Sequence, residues 1–126
     1  MFVMAANEAE ASTMARTLVE ERLAACVNLV GPVRSIYRWR GVIEESPECL
    51  MLIKTSSRRY LKLERRVKQL HSYEVPEIVA VPLTHGSADY LKWIAESTEP
   101  QAAAPSKPNA SARARRSPKS TRSYTE

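Results

Sequence analysis

Two long β-rich stretches flank Gly41, and their length constrains the fold more than any other feature of the chain. Val27 to Trp39 interleaves polar and apolar residues, Gly31-Pro32 marks a bulge or bend inside it, and Gly41 breaks the run. Glu44-Glu45-Ser46-Pro47 reads as a polar turn, and Glu48 to Thr55 returns as an apolar strand. The pair forms a β-hairpin whose arms exceed the usual strand of about five or six residues.

The flanking sequence supplies the other layers. Phe2 to Ala6 reads as a short buried strand ended by Asn7, an N-cap with Glu10 three residues later in capping-box spacing. Ala11, Met14, Ala15, Leu18, Val19 and Leu23 then recur at helical spacing, which predicts a first helix ending near Ala25. Ser56-Ser57 cap a second helix running to about His71. Leu63, Val67 and Leu70 form its inner stripe, and Arg58, Arg59, Lys62, Arg65, Arg66 and Lys68 mostly face solvent. Ile78 to Leu83 reads as a buried strand near an edge, because Pro82 cannot donate to a ladder. Gly86 and Ser87 open a last helix lined on one side by Tyr90, Trp93 and Ile94.

The order β, α, β, β, α, β plus a terminal helix predicts an α+β, ferredoxin-like fold: a four-stranded antiparallel sheet with two helices on one face. Helices of about 14 residues span only about 21 Å, so part of the hairpin overhangs them. An overhang carrying Ile36, Tyr37, Trp39, Leu50 and Leu52 would promote aggregation unless another subunit covered it. Cyclic self-association through strand edges would cover both the bare sheet face and the unpaired backbone.

Charge divides the chain in two. Residues 1–98 hold 13 Lys or Arg against 12 Asp or Glu, and residues 99–126 hold six against two, so the net +5 is +1 in the body and +4 in the tail. The tail has no aliphatic residue larger than Ala and cannot offset its own ordering entropy, which predicts a folded domain over 1–98 and a disordered basic tail over 99–126. Any attraction to nucleic acid is then weak, salt-sensitive and confined to the run beginning at Arg113. Two cysteines without metal-type spacing favour a reduced, cytoplasmic protein. No apolar run reaches the roughly 20 residues that a bilayer span requires, and the opening residues lack a signal-peptide pattern.

Five segments carry a resemblance to a known family: Val19-Glu-Glu-Arg-Leu-Ala-Ala-Cys-Val-Asn-Leu, Ser35-Ile-Tyr-Arg-Trp-Arg-Gly, Leu52-Ile-Lys-Thr, His71-Ser-Tyr-Glu-Val-Pro-Glu and Asp89-Tyr-Leu-Lys-Trp. In order and over nearly all of residues 2 to 97, the chain resembles the CutA divalent-cation tolerance proteins. The resemblance implies a ferredoxin-like homotrimer built through the extended hairpin and similar in architecture to the PII proteins. It also implies a role in tolerance to copper or another divalent cation, without a firmly attached catalytic activity. In some members copper is attributed to a cysteine in the first strand and two adjacent histidines. Here the first strand lacks cysteine, Leu70 precedes His71, Ser72 replaces the usual Pro, and Val42 replaces the usual Lys.

The candidate metal ligands are therefore His71 and, as a soft thiolate, Cys26. Cys26 also reads as a small buried hydrophobe, while Cys49, alternating with Leu50 and Leu52, faces the other side and is expected to be the more exposed of the two. Lys54, at the end of a core strand, must snorkel or find a carboxylate, and Glu74 or Glu77 is the expected partner. Together Tyr37, Trp39, Lys54, His71, Tyr73 and Glu74 predict a cleft between subunits for a small anionic molecule or a metal complex, with a structural ion-pair network as the alternative. Tyr90 and Trp93 are packing residues, and His85 lies in a solvent-facing turn. With three glycines and no nucleophile-triad, metalloprotease or phosphate-loop motif, the sequence offers little for an enzyme. Two functions follow: a trimeric metal-response protein with weak copper or other divalent-cation binding, or a PII-like signalling or scaffold trimer binding a small ligand.

Overall fold

A computed structural model describes residues 1–100; the tail expected from residue 99 lies outside them beyond Pro100. The chain is α+β, with β1 (Phe2–Ala5), α1 (Glu8–Glu20), β2 (Cys26–Trp39), β3 (Val42–Lys54), a 3₁₀ turn (Ser57–Arg59), α2 (Tyr60–Leu70), β4 (Ile78–Val79) and α3 (Ala88–Ser97). The four strands form one antiparallel sheet in the order β2-β3-β1-β4. The two halves of the split βαβ pattern thus interleave as expected.

The core follows the period-two pattern of the central strands. Val3 and Ala5 of β1 lie opposite Met51 and Cys49 of β3, and all four are buried with Ile53 under Ala11, Met14 and Leu18 of α1 and Leu63 and Val67 of α2. Burying large aliphatic side chains of this kind contributes about 1.5–3 kcal/mol each. The alternate residues Phe2, Met4, Leu50 and Leu52 turn to the other face and are half-buried or exposed. No helix among the described residues is long and apolar enough to cross a membrane.

The local start of α1 is as the sequence predicts. Glu10 N–H donates to Asn7 Oδ1 at 2.8 Å, and Ala6 N–H donates to Glu10 Oε1 at 2.9 Å. Its end is earlier than Ala25. Arg22 takes a left-handed φ of 60°, and the N–H groups of Leu23 and Ala24 both fold back to Leu18 O, at 3.0 and 3.2 Å. Left-handed closure satisfies the last carbonyls and ends the helix. Leu23, Ala24 and Ala25 stay buried as a non-helical link into β2.

Two further expectations change, and one is met. The hairpin reverses at Arg40-Gly41, with φ of 52° and 82°, so Trp39 pairs directly with Val42. Positive φ at both central residues is the two-residue turn whose twist matches the strands. Glu44 to Pro47 are therefore strand residues, facing Tyr37, Ile36, Ser35 and Arg34, and not a turn. Pro47 is tolerated because β1 ends opposite Cys49, leaving the distal ribbon with an open edge. The register slips between Val30 and Val33 around Gly31-Pro32, where the bulge was expected and where the peptide bond is cis. Finally, β4 stops at Val79 instead of Leu83. Val79 already pairs with Phe2 at the start of β1, so residues 80–83 meet no further strand among the described residues.

Candidate functional site

The hairpin overhang and the segment after α2 build a groove. Val33, Ser35, Tyr37 and Trp39 alternate along one face of β2, and Glu48, Ser46 and Glu44 lie on β3 opposite the first three. Tyr73 to Glu77 pass over this ribbon and complete a cavity of about 620 Å³, which Met4 floors. Tyr37, Trp39, Tyr73 and Glu74 are thus brought together.

Glu48 anchors the groove. Its side chain is buried where the overhang leaves β1, on the sheet face shared with Met4 and Leu50, and Tyr73 Oη donates to Glu48 Oε2 at 2.7 Å. Burial, reinforced by the hydrogen bond to that carboxylate, pushes the Tyr73 phenol well above its ordinary range, so it remains a donor at neutral pH. Glu44 and Glu77 also line the groove, and Glu74 lies 3.5 Å from Arg40, whose guanidinium sits 5.2 Å over the Trp39 ring. Arg34 is neutralised by a direct ion pair with Glu45. The lining is acidic and aromatic, which suits a cationic or polarisable ligand better than a simple anion.

His71 stands beside the groove as a structural link. Tyr73 N–H donates to His71 Nδ1 at 3.0 Å, which leaves Nε2 to carry the proton facing Met4 O at 2.7 Å. The ring centroid lies 4.7 Å from that of Tyr73. Both nitrogens are committed, and the residue is buried. A metal ligand needs a free ring nitrogen, so His71 in this arrangement does not fit one. Cys26 is no closer to supplying a partner. It pairs with Lys54, whereas His71 bonds to Met4, the partner of Leu50; the two levels are about 13 Å apart along β3. Among the described residues no group of three or more His, Cys, Asp or Glu is arranged to hold a metal ion.

Lys54 also lies at the far end of β3. Its Nζ bonds to Asn28 Oδ1, and neither Glu74 nor Glu77 is its partner within the chain. Two adjacent strands place Asn28 and Lys54 together on the sheet face away from the core, a pairing with no trace in sequence distance. The cysteines reverse their expected exposures. Cys49 falls on the core face with Met51 and is buried, and burial, then the charge of Glu8, raises its thiol pKa; Cys26 is the partly exposed one. Tyr90 and Trp93 stack at 5.5 Å along α3, and His85 is exposed beside Thr84.

Glu48 is the residue that sequence reasoning missed. A carboxylate opening the apolar run Glu48-Cys-Leu-Met-Leu-Ile demands a buried partner in the same way as Lys54 does, and that signal was available. Arg59, placed on the outer face from sequence, is in fact buried.

Residues 1–97 match the family described as CutA1 divalent ion tolerance protein. The divalent-cation tolerance protein CutA of Thermus thermophilus is 53% identical over 92 residues, covering 73% of this chain and 89% of that protein. Protein CutA of Mus musculus is 48% identical over 98 residues, covering 78% of this chain, and the chain spans 55% of that relative's length. The solved divalent cation tolerance protein Cut A1 from Thermus thermophilus superposes with a TM-score of 0.76 at 50% identity, covering 78% of this chain and 95% of that one.

Proposed function

The chain belongs to the CutA1 divalent ion tolerance protein family, and from that premise we propose that it is a cytoplasmic homotrimer of metal response that binds copper or another divalent cation weakly, without catalysis. The acidic groove carries this reading. Glu44, Glu48, Glu74 and Glu77 face one cavity whose only basic lining residue among the described residues, Arg34, is already paired. Among the described residues no group of three or more His, Cys, Asp or Glu is arranged to hold a metal ion; in this reading the cation is an effector held loosely by the groove carboxylates, with a neighbouring copy closing the groove. The free cysteines agree with a reducing compartment.

Calorimetric titration of the purified protein with copper and zinc tests the reading. A saturable isotherm lost in Glu44→Gln/Glu74→Gln supports it, and one unchanged in that variant sinks it for this groove. A parallel His71→Ala titration separates direct ligation from the packing role described above.

The size and aromatic lining of the groove favour a second reading, a signalling or scaffold trimer that binds a small ligand there. Pockets of about 300–1,000 Å³ with convergent polar groups are typical of small-molecule sites. A thermal-shift screen read against Trp39→Ala and Glu74→Ala decides it: a ligand whose shift disappears in both variants establishes the site, and the absence of any shift removes the reading.

A further inference from the structure

A second cavity, of about 290 Å³, lies between the end of α1 and the outer face of α2. Glu21, Leu23, Arg59, Lys62, Arg65, Arg66 and Gln69 line it. From Arg59 to Gln69 the α2 lining residues recur at spacings of three and four, one stripe of the helix. Arg66 is spoken for: its Nε and Nη2 grip the Glu21 carboxylate at 2.9 and 2.8 Å, and its Nη1 donates to Gln69 at 3.1 Å. Arg59, Lys62 and Arg65 have no ion-pair partner among the described residues. The lining carries four cations against one carboxylate.

Arg59 is buried without a partner for its Nε: it is 8% exposed, and that donor has no hydrogen-bond partner among the described residues. An arginine taken out of water normally has its fork filled by a carboxylate, a phosphate or carbonyls, because an unpaired buried donor costs about 1–3 kcal/mol and more when charged. Its position sharpens the imbalance. Arg59 is the N-cap of α2 and makes no side-chain cap bond, Arg58 precedes it, and the first turn of α2 has no acidic residue. A helix N-terminus favours anions, so this concentration of cations is unfavourable until an anion joins it.

We propose that this cavity is a binding site for a phosphate monoester dianion, with Arg59 as the buried fork and Lys62 and Arg65 as flanking charges. Two negative charges on a compact group match three unpaired cations better than a single carboxylate does, and the planar guanidinium presents paired donors to phosphate oxygens. The shared chemistry has two sources, a small phosphorylated molecule and the phosphates of a nucleic acid. The small volume of the cavity, about 290 Å³, commits the site to the first.

Titration of the full chain with inorganic phosphate, at ionic strength held constant with chloride and followed by calorimetry, tests this. The expected result is saturable binding that weakens about tenfold or more in Arg59→Gln. Because Arg59 is buried, the exposed pair Lys62→Ala/Arg65→Ala provides a variant that keeps its fold, and it should weaken binding roughly three- to fivefold. An unphosphorylated ten-nucleotide single strand should fail to compete. Absence of saturable binding, affinity unchanged in both variants, or displacement by the oligonucleotide at equal phosphate concentration would overturn the assignment.

Discussion

The phenolic hydroxyl of Tyr73 and the buried carboxylate of Glu48 lie 2.7 Å apart and join the segment after α2 to the hairpin, 25 residues away in sequence. The bond holds the Tyr73–Glu77 segment over β2 and β3 and so defines the groove. Glu48 is 9% exposed, and Tyr73 is the side-chain donor that makes its burial tolerable.

Tyr73→Phe should therefore destabilise the protein by about 1–3 kcal/mol, because it leaves a buried carboxylate unsatisfied while removing almost no apolar area. Glu48→Gln in the Tyr73→Phe background should recover part of that loss by deleting the stranded charge. Urea denaturation of the single and double variants measures both, and equal stability of Tyr73→Phe and wild type would show the bond to be incidental.

Glu10 sets a pH limit on the same end of the molecule. Partial burial raises its pKa, but hydrogen bonds from Ser72 and from the Ala6 N–H outweigh that and hold it below its ordinary 4.5. A depressed folded-state pKa means that the contribution is present above 4.5 and is lost as pH falls through the lower, folded value. Glu10→Gln should flatten the acid limb of the stability curve while costing about 1 kcal/mol at neutral pH, since an amide oxygen still accepts one N–H. Thermal unfolding followed between pH 3 and about 7 reads both effects; an acid limb unchanged in the variant would place the sensitivity elsewhere.

At Gly41 the cost should be conformational alone. Its φ is 82°, and a β-carbon built there meets nothing within 4 Å. Gly41→Ala should cost about 1 kcal/mol, the penalty of a left-handed residue with a side chain, and Gly41→Asn less, because Asn tolerates that region. Chemical denaturation of the two variants tests the ranking. A larger loss in Asn than in Ala would mean that the turn packs against something other than solvent.

The strand and helix order was legible because each element carries its own period: the short apolar runs Phe2 to Ala6 and Glu48 to Thr55, and the stripe of Ala11, Met14 and Leu18; the phase of the second run was not, since Cys49 lies on the buried face with Met51 and Ile53. The boundaries were not, because tertiary geometry sets them. Glu44-Glu45-Ser46-Pro47 has the composition of a turn, yet a two-residue reversal at Arg40-Gly41 leaves it paired with Arg34 to Tyr37. Four of the six groove candidates converge because they alternate on one ribbon or lie on the segment that crosses it. Lys54 is on the same strand as Glu44 and Glu48 but at the wrong end, and His71 spends both nitrogens on Met4 and Tyr73. Chemical suitability was visible in sequence; the distance along a strand and the prior engagement of a ring were not.

The apolar ribbon gives the last prediction. Ile36, Val42 and Ile43 are 60%, 57% and 58% exposed, and they lie on the part of the hairpin that extends past the end of β1. Exposed apolar residues concentrated on a two-stranded ribbon with an open edge are what a subunit interface covers. In the proposed trimer each contributes roughly 1 kcal/mol or more per subunit, and a charge there meets apolar surface with no partner. Ile36→Glu should therefore shift the protein from trimer to monomer at low micromolar concentration, while Arg38→Glu, on an already charged position, should change assembly little. Light scattering coupled to size exclusion distinguishes them. A wild-type protein that is monomeric, or an Ile36→Glu variant that remains trimeric, would remove the hairpin from the interface and with it the closure of the acidic groove by a neighbouring copy.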